Sequence, residues 1–250
     1  MNTTGTDSVA GIVNLYKPAG ISTARYVYRL RPIFGIRRVG HAGTLDPFAD
    51  GVVIACVGRA TKLVERLMAL PKYYRTTIHL GVTNQTYDTE QPFEPVPGVE
   101  PVPSDAVQQA LSAFVGEIDQ VPPAYSAVKI GGTPSYKLAQ RGQAKPRKTK
   151  KVRIQQLEIM EYAWPRLRLD IHCGRGTYIR AIARDLGRLL KCGACCETLT
   201  RRAVGSFRIE QSVNLQTAPR PGVRDALLPL SEARRLLENP PSEGKPDKIR

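Results

Sequence analysis

The 250-residue sequence predicts a mixed α/β fold of the α+β type. Short apolar strands and amphipathic helices interleave along the chain, no regular strand–helix alternation develops, and no internal repeat appears. One domain over residues 11–238 is expected. Its only obvious insertion spans about 90–150, with flexible residues before it and a disordered tail over 239–250.

The elements follow from local pattern. Gly11 to Tyr16 reads as a strand that stops at Lys17-Pro18-Ala19-Gly20. Ser22 and Thr23 are N-cap residue types ahead of a helix carrying Val27 and Leu30. The apolar run Gly51-Val-Val-Ile-Ala-Cys-Val57 reads as a buried strand, followed by a helix near 60–69 with Leu63, Val64, Leu67 and Met68 on one side. Residues 73–81 alternate, so Tyr74, Thr76, Ile78 and Leu80 share one face. Five prolines over 90–103 indicate a surface loop, after which Ser104 is expected to cap a helix through Val107, Leu111 and Phe114. A second helix is expected after Pro134 and a strand near 151–161. Leu167, Leu169, Ile171 and Cys173 make the cleanest alternation in the chain. It ends at Gly174-Arg175-Gly176, with Thr177 expected to cap a helix through Ile179, Ile182, Ala183, Leu186 and Leu190. A strand near 198–208 and a short helix near 231–237 complete the set.

Composition narrows the function classes. No stretch approaches the roughly 18 apolar residues of a membrane span. The first ten residues lack a basic region followed by an apolar one, so no secretory signal is read. The expected compartment is the cytoplasm. Five cysteines, an odd number, fit a reducing compartment better than a disulfide framework. Cys192-x-x-Cys195-Cys196, with His172 and Cys173 upstream, has half the spacing of a zinc site. Without a second Cys-x-x-Cys, partly buried free thiols are the stronger reading, and no metal is expected.

Lys and Arg number 37 against 22 Asp and Glu, a formal charge of +15. Such an excess attracts a polyanion through phosphate contacts and counterion release. Seven basic residues and no acidic one lie between Arg141 and Arg153, among them Lys148, Lys150 and Lys151. Arg180, Arg184 and Arg188 recur at four-residue spacing on one helical face. Arg141, Lys148, Lys150, Lys151 and Arg184, with Lys129 and Arg201, form the expected RNA-backbone set.

The chemistry centres on Gly40-His41-Ala42-Gly43-Thr44-Leu45-Asp46-Pro47. Proline after Asp46 disfavours helix at the carboxylate, and the glycines allow close backbone approach. Nearby cations are expected to lower the Asp46 pKa, which suits a nucleophile rather than a general acid. Carboxylates elsewhere are scattered singly, and no phosphate-binding Gly-x-x-x-x-Gly-Lys-Ser/Thr motif occurs. Lys72-Tyr73-Tyr74-Arg75 and Gly174-Arg175-Gly176-Thr177-Tyr178-Ile179-Arg180 combine rings that stack on unpaired bases with guanidiniums that hold phosphates.

In combination these motifs are far more specific. Lys17-Pro18-x-Gly20, the Gly-His-x-Gly-Thr-Leu-Asp-Pro loop, Gly58-x-Ala60-Thr61-Lys62 and Lys72-x-Tyr74 resemble the bacterial-type pseudouridine synthases acting on the T-loop of transfer RNA. So do Leu80-Gly81 with Thr86-x-Asp88, Pro122-Pro123-x-Tyr125-Ser126-Ala127-x-Lys129, Gly176-Thr177-Tyr178-Ile179-Arg180 and Cys192-Gly193-Ala194. They occur in the family's order over roughly residues 11–205. The resemblance implies a mixed, largely antiparallel sheet flanked by helices, and a transfer RNA uridine (position 55) as substrate.

It also implies roles for individual residues. Asp46 would be the catalytic aspartate, Arg180 its paired arginine, and Tyr178 the ring beside C5 of the base. Tyr74 would stack on the flipped uracil, His41 would help order the opened T-loop, and Leu199 would be an apolar pocket wall. Lys17 and Lys62 fall in matching motifs, as substrate-facing or structural residues. Ser22-Thr23 inverts the family's usual Thr-Ser order, and Asn84-Gln85 replaces a common Thr-x. Neither cofactor nor obligatory protein partner is implied, and a monomer suffices. Rival readings are a silent RNA-binding or RNA-folding factor on the same scaffold, a guide-RNA-dependent synthase, and a base-excising glycosylase. The short stretch after Gly205 argues against a separate C-terminal RNA-binding domain, and the absent second carboxylate argues against a glycosylase.

Overall fold

The computed structural model describes residues 9–126, 129–135, 138, 141–143 and 147–238. Strand β1 (Gly11–Lys17) leads through helices α1 (Thr23–Val27) and α2 (Leu30–Phe34) to β2 (Val39–His41) and β3 (Asp50–Val57). A 3₁₀ turn (Gly58–Leu63), α3 (Val64–Ala69) and β4 (Lys72–Leu80) follow. Next come the short β5 (Val82–Thr83) and β6 (Glu94–Pro95), α4 (Ser104–Ser112), β7 (Gly116–Gln120), β8 (Lys129–Ile130) and β9 (Thr133–Pro134). The long pair β10 (Lys150–Ala163) and β11 (Arg166–Cys173) precedes α5 (Ile179–Leu189) and β12 (Ala194–Val204). β13 (Phe207–Arg208), α6 (Arg220–Asp225), β14 (Leu228–Pro229) and α7 (Leu230–Glu238) end the described chain. The strand pairings are mostly antiparallel, as the α+β reading requires.

The chain divides into two compact units, residues 1–73 with 200–250, and residues 74–199. In the first, β1 pairs antiparallel with β14 and β3, while the end of β12 runs parallel to β3. Every residue of β3 after Asp50 is buried, which explains its unbroken apolar run. Ile12, Val52, Ile54, Leu63, Leu67 and Val204 belong to the core behind it, against which Val64 and Met68 pack. In the second unit β4 is followed in order by β11, β10 and β7. Tyr74, Thr76, Ile78 and Leu80 are the buried positions of β4, and Leu167, Leu169, Ile171 and Cys173 those of β11. Helix α5 buries Ile182, Ala183 and Leu186, and it packs on α4.

Several local expectations shift. The helix expected over 60–69 begins as the 3₁₀ turn and becomes α-helical only at Val64. The prolines of 90–103 leave room for one two-residue pairing, β5 with β6. Ser104 is the first helical residue rather than a cap; Pro103 takes that position, and the helix ends before Phe114. Thr177 does not cap α5, because its hydroxyl donates to the Gly174 carbonyl at 3.2 Å and Tyr178 becomes the N-cap. The strand expected near 198–208 runs from Ala194 and is broken at Gly205, whose φ of +54° reverses the chain into β13. Helix α6 escapes sequence reading because Pro221 and Gly222 look like breakers. Proline is tolerated in a first turn, where its missing N–H has no intrahelical partner anyway. The helix expected after Pro134 and the tail over 239–250 lie largely outside the described residues. Among the described residues no helix is long and apolar enough to cross a membrane.

One glycine is dictated by the fold. Gly51, at the head of β3, has φ of +109°, and a Cβ there would lie 2.3 Å from the Arg201 carbonyl oxygen. Gly51→Ala is expected to cost about 2–4 kcal/mol, through backbone strain and displacement of β12 from its parallel register. Urea unfolding of the two proteins measures it; equal midpoints would refute it.

Candidate active site

Asp46 sits midway along the loop between β2 and β3, partly exposed. The residues on both sides of it are pinned. Thr23 Oγ1 donates to the Leu45 carbonyl at 2.7 Å and accepts from the Leu45 N–H at 2.9 Å, holding both backbone polar groups of that residue. Gly20 N–H donates to the Pro47 carbonyl at 2.8 Å, and Ala49 N–H donates to the Asp46 carbonyl at 3.2 Å. The inverted Ser22-Thr23 pair thereby divides its labour. Ser22 caps α1 by accepting from Arg25 N–H, while Thr23 clamps the loop.

Lys17, expected among substrate-facing residues, lies inside the protein with 0% exposure. Its ammonium donates to the carbonyls of Ala49 at 2.7 Å, Pro18 at 2.9 Å, Ile21 at 2.9 Å and Pro47 at 3.3 Å. Three N–H groups therefore serve four acceptors, the longest contact being shared. Desolvating the ammonium costs several kcal/mol, which these charge-assisted bonds offset. Arg201, expected on RNA phosphates, is likewise internal at 1% exposure. It donates to Val52 O at 2.7 Å, and to Thr44 O and Gly43 O at 3.4 Å each. Both corrections have one cause: loop carbonyls without ladder partners need internal donors, and a long cation reaches several at once.

His41 leads into this loop, partly buried. Burial pushes its pKa below the usual imidazole range; the Arg201 charge acts in the same direction and the Gly43 backbone opposes it. Tyr16 donates to Asp50 at 2.9 Å, and its phenol is pushed up to about 12 by burial and then by that carboxylate. Lys62 is exposed on the 3₁₀ turn.

In the second unit Arg180 stands in the first turn of α5 with 3% exposure. Its guanidinium lies 3.0 Å from the Asp88 carboxylate, itself 0% exposed, and donates to Thr86 O at 3.0 Å and Tyr125 O at 2.8 Å. Thr86-x-Asp88 and Pro122-Pro123-x-Tyr125 thus converge on this one cation. Asn84 builds the approach: its amide donates to Asp88 O at 2.7 Å and Gln91 O at 2.9 Å, and its carbonyl accepts from Tyr87 N–H at 2.6 Å. Tyr178 is fixed through its backbone, since Gln120 accepts from its N–H at 2.8 Å and donates to its carbonyl at 3.2 Å. Tyr74 on β4 and Leu199 near the end of β12 are 9% and 6% exposed.

Arg184 is another correction. It is 6% exposed and forks onto the Asp185 carboxylate at 2.7 and 2.8 Å, so it is not presented to a phosphate. Arg141, Lys148 and Lys150 are exposed, and Lys151 pairs with Glu117 at 3.0 Å. Lys129 lies in β8, its side chain outside the described residues. All five cysteines are buried free thiols. Among the described residues no group of three or more His, Cys, Asp or Glu is placed to hold a metal. Sequence reading assigned no role at the site to Asp88, Asn84 or Gln120, and read Thr23 as a helix cap rather than a loop clamp. Only Asp88 carried a signal, as part of a motif.

Two expectations follow. Asp88→Asn leaves the buried Arg180 guanidinium without that carboxylate and is expected to destabilise the protein by about 3 kcal/mol, read from chemical unfolding. Burial holds the folded-state pKa of His41 below that of the unfolded chain, which titrates near pH 6.5. As pH falls below about 6.5 the unfolded state takes up the proton first, so stability declines toward acid. Unfolding midpoints between pH 7 and 5.5 are expected to fall more shallowly for His41→Gln than for the parent protein.

Comparison with known proteins agrees with this geometry. Residues 31–179 match the family described as TruB family pseudouridylate synthase, N-terminal domain. A protein of Dehalococcoides mccartyi named tRNA pseudouridine synthase B is 43% identical over 223 residues, covering 88% of this chain and 74% of the relative. Its namesake in Thiobacillus denitrificans is 41% identical over 223 residues, with 88% and 74% covered. Among solved structures, a chain from a Cbf5–Nop10–Gar1 complex superposes with a TM-score of 0.68 at 26% identity, over 89% of this chain. This chain spans 61% of that one, less than two thirds of its length. At this identity and coverage, the chain belongs to the TruB family of pseudouridylate synthases.

Proposed function

We propose that this protein isomerises a uridine in the T-loop of transfer RNA, at position 55, to pseudouridine, with Asp46 as the catalytic carboxylate. The observation that carries the proposal is the clamped loop. Thr23, Lys17 and Arg201 hold the peptides around Asp46 and leave its side chain partly exposed. Orientation of this kind is what a nucleophile needs, because a reacting group must be held close to its productive geometry. A pure RNA-binding factor gains nothing from an oriented carboxylate among cations, which disfavours the folding-factor reading.

The isomerisation breaks the N1–C1′ bond, turns the base, and joins C5 to C1′. A carboxylate can begin this by attack at C1′ or C6 of the base or by taking the C2′ proton. Each route ends with loss of the C5 hydrogen, and no external group is consumed. The uridine must first leave its stack, at a cost of a few kcal/mol. The roles that the resemblance gives Arg180, Tyr178, Tyr74, His41 and Leu199 belong to this reading. What supports them is that Arg180 and Tyr178 are held by Asp88 and Gln120, and that Tyr74 and Leu199 are buried with a little surface left. The chain acts alone, without metal or cofactor.

Purified protein is expected to release tritium from unmodified transfer RNA labelled at C5 of uridine, without added protein, metal or cofactor. Asp46→Asn is expected to abolish release while leaving transfer RNA binding in place. No release by the parent protein, or equal release by the Asn variant, refutes the assignment. Binding without release by the parent favours the folding factor.

A further inference from the structure

Arg201, expected on RNA phosphates, is internal, and the first unit's exposed arginines lie elsewhere. From Ser8 to Leu45 the sequence contains no Asp or Glu, yet it carries Lys17, Arg25, Arg29, Arg31, Arg37 and Arg38. Lys17 is buried, whereas the five arginines are exposed. Helices α1 and α2 follow one another almost without a break, since the intervening Tyr28 and Arg29 both have right-handed helical backbone. Thr23, Tyr26, Val27, Leu30 and Ile33 form the buried stripe of this run. Arg25, Tyr28, Arg29 and Arg31 fall on its outer side.

Several arginines elsewhere have carboxylates beside them. Arg166 lies 2.9 Å from Glu197, Arg202 2.7 Å from Glu210, Arg168 3.8 Å from Glu161, and Arg188 3.6 Å from Asp185. Among the described residues none of Arg25, Arg29, Arg31, Arg37 and Arg38 has such a partner. Instead Arg31 stacks on the exposed Tyr28 ring at 3.9 Å, Arg29 lies 5.6 Å from the Tyr26 ring, and Arg38 donates to Thr61 Oγ1 at 2.7 Å. Five like charges within fourteen residues repel one another, and no carboxylate of the described residues lies within ion-pair distance of them.

We propose that this arm, residues 23–38, is a docking surface for the phosphate backbone of an RNA stem. It rests on the transfer RNA reading above and adds to it a second point of grip. Guanidiniums fork onto phosphate oxygens, and stacking on tyrosine restricts the Arg31 head so that less freedom is lost on binding. A twelve-residue helical run spans about 18 Å, long enough to follow several phosphates rather than one. Double-stranded RNA is held mainly by shape and backbone contacts, which this face supplies. The arm is also tied to the reaction loop, because its first residue, Thr23, makes both hydrogen bonds to Leu45 beside Asp46. A stem seated on the arm is therefore in fixed register with that loop.

The test is the triple variant Arg25→Gln, Arg29→Gln, Arg31→Gln, assayed on full-length transfer RNA over a range of salt. A rise in KM of about tenfold or more at 0.15 M salt is expected, carried by KM rather than kcat. The plot of log affinity against log salt should lose about two to three units of slope, from just under one per phosphate contact. The control Arg234→Gln, Arg235→Gln, which removes two exposed charges from α7, is expected to keep the parent slope. If the triple variant does not fold, each single variant is expected to lose just under one unit. Folded variants with parental KM and slope overturn the docking surface while the parent's turnover leaves the transfer RNA reading standing. A parent protein that neither binds nor converts transfer RNA overturns both.

Discussion

The ammonium of Lys17 is the constraint on which the first unit's chemistry depends. It closes the end of β1 onto two separate stretches, the Pro18–Ile21 turn and the Pro47–Ala49 side of the Asp46 loop. An apolar residue of similar size would fill the space but would leave four carbonyls without that donor. The loop could then satisfy them only by turning toward water, and Asp46 would move with it. Thr23 and Arg201 act on the preceding peptides in the same sense. Asp46 is thus oriented through the backbone of its neighbours.

The second unit uses a buried ion pair for a comparable purpose. Arg180 enters with the first turn of α5, and Asp88 arrives on a loop that Asn84 folds back on itself. Neither charge is tolerable there alone. Each makes the other's burial affordable, so the helix start and the loop are fixed together. Gln120 completes this by holding the Tyr178 peptide at the helix entrance.

The net charge of +15 consequently has two meanings. One set of cations is internal: Lys17, Arg180, Arg184 and Arg201 satisfy carbonyls or carboxylates. Another faces solvent, either paired as Arg166 and Arg168 are, or unpaired as on the 23–38 arm. Only this last group has its full field available to a polyanion.

Much of this was legible in the chain. Period-two alternation located β4 and β11, the unbroken apolar run located β3, and the Asp-Pro turn with its glycines located the candidate catalytic loop, because each signal is local and needs only neighbouring residues. Helix caps were misplaced at Ser104 and Thr177, where a hydroxyl can serve a turn as readily as a helix. What the tertiary structure alone decided is where each cation goes. Arg201 meets Thr44 across 157 positions and Arg180 meets Thr86 across 94. No spacing rule reaches that far, since whether an arginine is spent on a carbonyl or offered to a phosphate depends on which backbone groups the folded chain leaves without partners.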